Sequence, residues 1–252
     1  MENKIIAAVV CIAKGEDNYI HEWIDYHLKL GFDDIIVYKN DWPYTIGKDK
    51  VTEVIANGEN LQVKCYNNFL NICAKRGEEN KLFDWVAFID VDEYICLKKH
   101  TNIKDFLAEY NHLNYIPMNW KLFGDSNLTE PAKGVVTRFT KTSLEPDKHI
   151  KSLVKPLRGV QFLDVHQVNI PWTDTNGNRG AGPYNYNKVC DVIQLNHYFC
   201  KTLKEFEIKR NRGRADMLKS NQYYIRTIED FYIHNFNEVE DLTACDFYKS
   251  QG

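Results

Sequence analysis

Asp90, Asp92 and Glu93 fall within four positions at the end of an apolar run, in WVAFIDVDEYI (residues 85–95). Carboxylates this close repel one another, and a bound divalent cation offsets the repulsion. Hard oxygen ligands suit Mg²⁺, Mn²⁺ or Ca²⁺, and a diphosphate would complete the shell of such an ion. Asp-x-Asp alone carries little weight, because short motifs of common residues recur by chance. The bland alternative is that Asp90 caps a turn and its neighbours are solvated. The setting favours the chemistry. Residues 84–90 read as a central strand, and in open α/β sheets ligands bind beyond the carboxyl ends of the strands. Side chains two apart on a strand project the same way, so Asp90 and Asp92 are expected to point together, with Glu93 on the opposite face.

Hydropathy patterning supplies the elements around that strand. Residues 5–12 are continuously apolar and β-branched, as a buried parallel strand should be. Asp17 or Asn18 can cap a helix that runs to Leu30, with Ile20, Trp23, Ile24 and Leu28 on one face and Gly31 as its stop. Strands are expected at 34–41 and 61–66, and helices near 47–57 and over 68–80. This βα alternation predicts an α/β domain with a mostly parallel sheet. After residue 112 the pattern turns β-rich, with strand-like segments YIPMNWKLFG, GVVTRFTK, IKSLVKP, GVQFLDVHQVNI and DVIQLNHYF. TDTNGNRGAGPYNYN (173–187) is a Gly/Asn-rich loop long enough to act as a flap. A charge-dense helix is expected over 202–220, and an acidic, aromatic tail follows from 229.

The 252 residues suffice for one large domain. A net charge of -3 argues against a nucleic-acid partner. Aromatics reach 13%, which suits sugar binding and a Tyr-rich core equally. Seven Cys without C-x-x-C spacing suggest reduced thiols in a cytosolic protein rather than a disulfide framework or zinc site. The apolar run at 5–13 is far shorter than a membrane span.

Taken together, several blocks resemble the GT-A glycosyltransferases, in the group joining family 2-like enzymes to family 92. They are VVCIAKGEDNYIHEWIDYHLKLGFDDIIVYKND, DWVAFIDVDEYI, NWKLFG, IKSLVKP and LNHYFCKTLKEFEIKRNRGRAD, and their order spans about residues 5–240. The resemblance implies a GT-A type, Rossmann-like sheet flanked by helices, in one domain over 1–252. Residues 1–112 would form the nucleotide-sugar half, 113–220 a β-richer acceptor half and 221–252 a tail. It also implies inverting transfer from a nucleoside-diphosphate sugar, UDP by family precedent, onto a glycan or lipid-linked glycan.

Asp90 and Asp92 match the family's DxD positions, and His197 in LNHYF matches a His that completes the metal shell. An imidazole beside carboxylates tilts the preference from Mg²⁺ towards Mn²⁺. Such an ion stabilises the charge that grows on the departing diphosphate. Basic side chains assist through charge-assisted hydrogen bonds. Lys209, Arg210, Arg212 and Arg214 are the candidates, with Arg210 and Arg214 on one helical face; a solvated helix surface is the plainer alternative. Lys151 and Lys155 are weaker ones. Ala13, Lys14, Glu16, Asn40 and Asp41, at the ends of the first two strands, are expected near the nucleoside, and Val91 beside the donor.

Inversion needs a general base. Asp125 is the first choice, with Glu130 and Asp164 behind it; the family's Glu-Asp pair is missing at the matching place. Trp120, Trp172, Tyr184 and Tyr186 could stack on acceptor sugar, although each also suits packing. Two other classes compete: a glycan-binding protein with a dead site, and a sugar-phosphate nucleotidyltransferase. AKGED lacks the Gly-rich, Arg-containing loop of the latter. The expected setting is cytoplasmic surface-polysaccharide or lipopolysaccharide assembly, with a peripheral contact to the inner membrane face.

Overall fold

The computed structural model describes residues 5–76 and 81–251. The first half runs β1 (Ala7–Ala13), α1 (Ile20–Lys29), β2 (Asp34–Lys39), β3 (Val51–Ile55), α2 (Gln62–Lys75), β4 (Trp85–Phe88), β5 (Glu93–Leu97) and α3 (Ile103–Glu109). The second half runs β6 (Tyr115–Leu122), β7 (Lys141–Thr142), β8 (Ile150–Val154), β9 (Trp172–Thr173), β10 (Arg179–Gly180) and β11 (Ile193–His197), then α4 (Leu203–Asn211), α5 (Ile228–His234), β12 (Val239–Glu240) and α6 (Thr243–Ser250).

Eight strands form one sheet in the order β3-β2-β1-β4-β8-β6-β11-β5. The β3-β2-β1-β4 half is parallel throughout; β8 pairs antiparallel with both β4 and β6, and β5 antiparallel with β11. Only residues 89–92 separate β4 from β5, yet three strands lie between them in the sheet. Four flat strand spacings would need about 19 Å. The chain turns within that link, so the sheet must curl to bring β5 back to the end of β4. This curl is what places the DVDE turn over the carboxyl ends of β1 and β4. Helices α1 and α3 cover one face through Trp23, Ile24 and Phe106, and α2 covers the other through Tyr66, Phe69 and Leu70. The α/β architecture, with one large mostly parallel sheet that turns antiparallel in its second half, matches the expectation from sequence.

Several segments depart from it. The helix expected near 47–57 is the strand β3, because VTEVI is rich in β-branched residues and pairs in parallel with β2. The strand expected at 61–66 is instead the start of α2. Cys65, Tyr66, Phe69, Leu70 and Cys73 recur at helical spacing and are buried. Of the helix expected over 68–80, residues 77–80 lie outside the described residues. GVVTRFTK (134–141) is largely a turn, held where the Glu22 carboxylate accepts the Val135 and Val136 N–H groups at 2.8–3.0 Å. Residues 159–170 contribute one isolated bridge, Phe162 to Val168. The helix expected over 202–220 stops at Asn211, and Gly213 follows with φ of 74°. Arg210 and Arg214 therefore do not share a helical face.

His27 belongs to the core rather than to chemistry. Its Nδ1–H donates to the Trp23 carbonyl at 2.8 Å and its Nε2 accepts the Ile95 N–H at 3.3 Å. Burial pushes its pKa from 6.5 down to about 3. A depressed pKa contributes stability that is complete above 6.5 and lost as pH falls towards 3. This one group should cost about 2 kcal/mol between pH 7.5 and pH 5. Urea midpoints at the two pH values should show the loss, and His27→Gln should flatten the dependence.

Candidate active site

Strand β4 ends at Phe88, so Asp90 and Asp92 are turn residues rather than strand residues. The Glu93 N–H donates to the Asp90 carbonyl at 3.0 Å and closes the turn. The two carboxylates diverge. Asp90 accepts from Gln62 Nε2 at 2.6 Å and from Lys151 Nζ at 2.7 Å. Asp92 accepts from Lys209 Nζ at 2.5 Å, and His197 Nε2 lies 3.7 Å from the same oxygen. Both carboxylates line one cavity of about 370 Å³. Glu93 does not point away as its position in the sequence suggested. Its carboxylate accepts the Asp90 N–H at 2.8 Å and lies 3.8 Å from Lys151, so it braces the turn from below.

Burial would raise the Asp92 carboxyl, but the Lys209 ammonium and His197 outweigh it and hold that carboxyl well below the usual range. Glu93 has no comparable compensation, and burial pushes it well above its ordinary value. Asp92 is thus the carboxyl held low, and Glu93 the one that burial pushes up.

The rest of the lining is rich in cations. Lys14, Lys151, Lys209, Arg212, Arg214 and Arg226 all line the cavity. Arg212 is tied to Glu16 and donates to the Gly15 carbonyl at 2.8 Å, so the turn after β1 and the segment after α4 close on each other. Arg214 is held by Asp216 at 2.6 and 2.9 Å. The Arg226 guanidinium makes no ion pair among the described residues, and Arg214 and Arg212 beside it add to burial in lowering its pKa. A half-buried guanidinium among like charges, with donors unspent, is a place for an anion.

No group of three or more His, Cys, Asp or Glu converges as metal ligands among the described residues. What the cavity offers is an oxygen from the turn, Asp92 Oδ2, and a nitrogen from the end of β11, His197 Nε2, 3.7 Å apart. Two protein ligands with the rest supplied by phosphate and water is how Mg²⁺-like ions are usually bound. The residues fit a shared protein–diphosphate shell and not an all-protein cage.

The sequence signature of glycosyltransferase family 92 matches residues 46–236. The chain belongs to glycosyltransferase family 92. Family 92 proteins of Ricinus communis and of Oryza sativa subsp. japonica are 29% and 26% identical to it over 217 residues, covering 80% of this chain. The chain spans about a third of the length of these relatives, 36% and 34%. Among solved structures, S. aureus TarS is similar with a TM-score of 0.34 and 15% identity, over 60% of this chain and 47% of that one. HddC from Yersinia pseudotuberculosis is similar with a TM-score of 0.31 and 14% identity, over 86% of each.

Within this family 92 chain, the cavity gathers Lys14, Glu16, Asp90, Val91, Asp92, Trp120, Lys151, His197, Lys209, Arg212 and Arg214 of the residues nominated from sequence. Others lie outside it. Ala13 is buried within β1. Asn40 donates to the Ala56 and Gly58 carbonyls at 2.9 and 2.8 Å, and Asp41 accepts the Gly58 N–H at 2.9 Å. Both therefore tie the end of β2 to the segment after β3. Arg210 is not part of the cavity wall, and Arg226, which was not nominated, is.

None of the three nominated bases reaches the cavity. Asp125 is consumed by Asn235 and Asn237, each at 3.0 Å. Glu130 is an exposed partner of Lys204 at 2.6 Å. Asp164 caps its own turn, accepting the His166 and Gln167 N–H groups at 2.7 and 3.2 Å. Trp172 is a packing residue, with its ring against Gly180 where no Cβ would fit. Sequence reasoning missed Gln62, His149, His166 and Arg226 in the wall. The first three come from segments with no motif, and Arg226 from a loop that folds back beside Lys14 through Tyr224.

Proposed function

We propose that the cavity binds the diphosphate of a nucleotide sugar, UDP-linked, and transfers the sugar with inversion to a glycan or lipid-linked glycan acceptor. The observation that carries this is the pairing of an acidic turn with a cationic wall in one cavity at the carboxyl ends of β1 and β4. A diphosphate presents non-bridging oxygens to both. Arg214 and Arg226 would take one side, and Lys14 and Arg212 the approach to the nucleoside. Asp92 and His197, with Asp90 beside them, would hold one Mn²⁺ or Mg²⁺. When bound, the ion supplies Lewis-acid stabilisation of the charge on the leaving diphosphate. Lys151 and Lys209 hold the Asp90 and Asp92 side chains in place, and can turn their ammonium groups to phosphate oxygens once a ligand enters. The relatives' greater length leaves acceptor choice to the whole protein. Among the described residues no helix is long and apolar enough to cross a membrane. A cytoplasmic setting at a membrane surface, in surface-glycan assembly, is part of the same proposal.

A thermal-shift panel tests it. Ligand at 100 times its Kd stabilises the fold by about 2.7 kcal/mol. For a chain of this size that is a rise of about 5–10 °C. UDP with Mn²⁺ should give such a rise, and EDTA should remove most of it. An equal rise without metal would exclude the ion, and no rise with any nucleoside diphosphate would exclude the donor site.

A further inference from the structure

We propose that His149, backed by Asp147, is the general base that deprotonates the acceptor hydroxyl. The proposal rests on the inverting transfer proposed for the same cavity. His149 lines that cavity. Its Nδ1 lies 2.6 Å from Asp147 Oδ1, and the Asp147 carboxylate also accepts the His149 N–H at 2.8 Å. Burial would raise the Asp147 carboxyl, but its bonds to His149 lower it, so it stays ionised. An ionised acceptor on Nδ1 fixes the tautomer with the proton there. Nε2 is then an unprotonated lone pair, and it makes no hydrogen bond among the described residues.

The other candidates are spent. Asp216 is held by Arg214, Glu16 by Arg212, and Asp230 caps α5 through the Thr227 N–H at 2.7 Å. Glu93 is sealed under the turn. His166 has no carboxylate behind it, its Nδ1 meeting the Ile150 carbonyl at 3.0 Å, and burial pushes it down to about 4. His234 likewise meets only a carbonyl, that of Asp230, at 2.7 Å.

Position agrees with role. His149 stacks on Trp120 with ring centroids 5.0 Å apart, Trp120 lies 4.2 Å from His197, and His197 Nε2 is 3.7 Å from Asp92. The base is therefore two rings removed from Asp92, along the wall of the same cavity. Tyr184 meets His149 edge-on at 4.8 Å, and Tyr186 beside it is 70% exposed. The Lys148 ammonium lies over both rings, at 4.8 and 5.7 Å. The charged and titratable groups around His149 are thus Asp147, Lys148, His166 and Tyr184. These aromatic faces suit a sugar.

The loop that carries the tyrosines is anchored and is not the flap its composition suggested. His149 and Tyr184 form a β-bridge, and the Asn185 N–H donates to the Lys148 carbonyl at 2.9 Å. The buried Asn119 donates to the Asp147 and Asn185 carbonyls, each at 3.0 Å, and so clamps the dyad to the loop. In the step itself, Nε2 takes the acceptor proton and the acceptor oxygen bonds to the anomeric carbon. The bond from that carbon to the diphosphate oxygen breaks, and its electron pair leaves with the diphosphate.

The test uses the full chain. UDP release from a panel of UDP-hexoses with water as acceptor is followed in wild type, His149→Gln and Asp147→Asn, alongside calorimetric binding of UDP with Mn²⁺. His149→Gln should lose about 10²–10⁴-fold in turnover. UDP affinity should change less than twofold, and the acidic limb of the pH–rate profile should vanish from the residual activity. Asp147→Asn should lose turnover without losing UDP. Turnover within threefold of wild type in His149→Gln would overturn the proposal. Nitrogen-15 NMR of the histidine-labelled protein adds a readout independent of the donor. A proton on Nδ1 and none on Nε2 is expected at neutral pH, and a dominant Nε2–H form would overturn the base. If no UDP-hexose is turned over by wild type, the donor assignment falls, and the tautomer alone then decides on His149.

Discussion

Asp92→Ala should abolish transfer and also destabilise the fold by about 3–5 kcal/mol, the usual cost of breaking a buried ion pair from one side. The Lys209 side chain is 8% exposed and that of Asp92 9%, so both charges are largely desolvated, and the variant leaves Lys209 the Phe199 carbonyl at 3.0 Å as its protein partner. Deprotonation sets the upper bound. Releasing the proton of an ordinary lysine at pH 7 costs about 5 kcal/mol. Burial already holds Lys209 down to about 8, against the pull of Asp92, so the neutral form is within reach and the loss stays below that bound. Stability and activity then separate in the double variant. Asp92→Ala with Lys209→Met removes both charges and should recover most of the stability, because the Phe199 ring next to Lys209 can pack on a thioether. It should recover none of the activity. Denaturant midpoints and UDP release on the three variants measure this. Activity returning with stability would show that Asp92 serves only the fold.

Trp23→Ala should be the most damaging change remote from the cavity. Trp23 is fully buried between α1 and the sheet, and its indole N–H donates to the Glu93 carbonyl at 2.8 Å. Removing a buried tryptophan costs about 3–5 kcal/mol. The orphaned carbonyl adds about 1–3 kcal/mol. At about 2–4 °C per kcal/mol the Tm should fall by about 10 °C or more. The loss should reach the cavity, because Glu93 braces the Asp90 backbone that aims the DVDE turn. Trp23→Phe keeps most of the volume and loses the donor alone, so it should cost about 1–3 kcal/mol. A Phe variant as unstable as the Ala variant would show that the bond to Glu93, rather than the packing, governs the site.

The sequence carried the central strands well and the cavity wall poorly, for physical reasons. β1, β2, β4, β8 and β11 are buried on both faces, so their apolar runs are continuous and hard to mistake. β3 is half-exposed at the sheet edge, and its short run of β-branched residues sits among charges that suggest a helix surface. In α2 the stretch LQVKCY fits either period, and the decision comes only from Phe69, Leu70 and Cys73 further along. Asp90, Asp92 and His197 were legible because the family resemblance marked them. The turn geometry that sends each carboxylate to its own lysine was not, since Lys151 and Lys209 lie 61 and 117 positions away. Asp125 looked like a base because it follows a strand, and only the fold reveals Asn235 and Asn237 closing on it. Asp147 and His149 stand two apart in plain view. Nothing local says that Asn119 and Tyr184 will turn them towards the cavity.

The most direct test of the nucleotide-sugar site is a crystal of this chain grown with UDP and Mn²⁺, with anomalous data collected at the manganese edge. One anomalous peak is expected within about 2.2 Å of an Asp92 oxygen, near the Mn–O distance of a hard-ligand site. It should also contact His197 Nε2 and both phosphates, with Arg214 and Arg226 on the far side of the diphosphate and Lys209 displaced from Asp92. A diphosphate seated away from the Asp90–Asp92 turn, or manganese bound without contact to Asp92, would contradict the assignment of this cavity as the donor site.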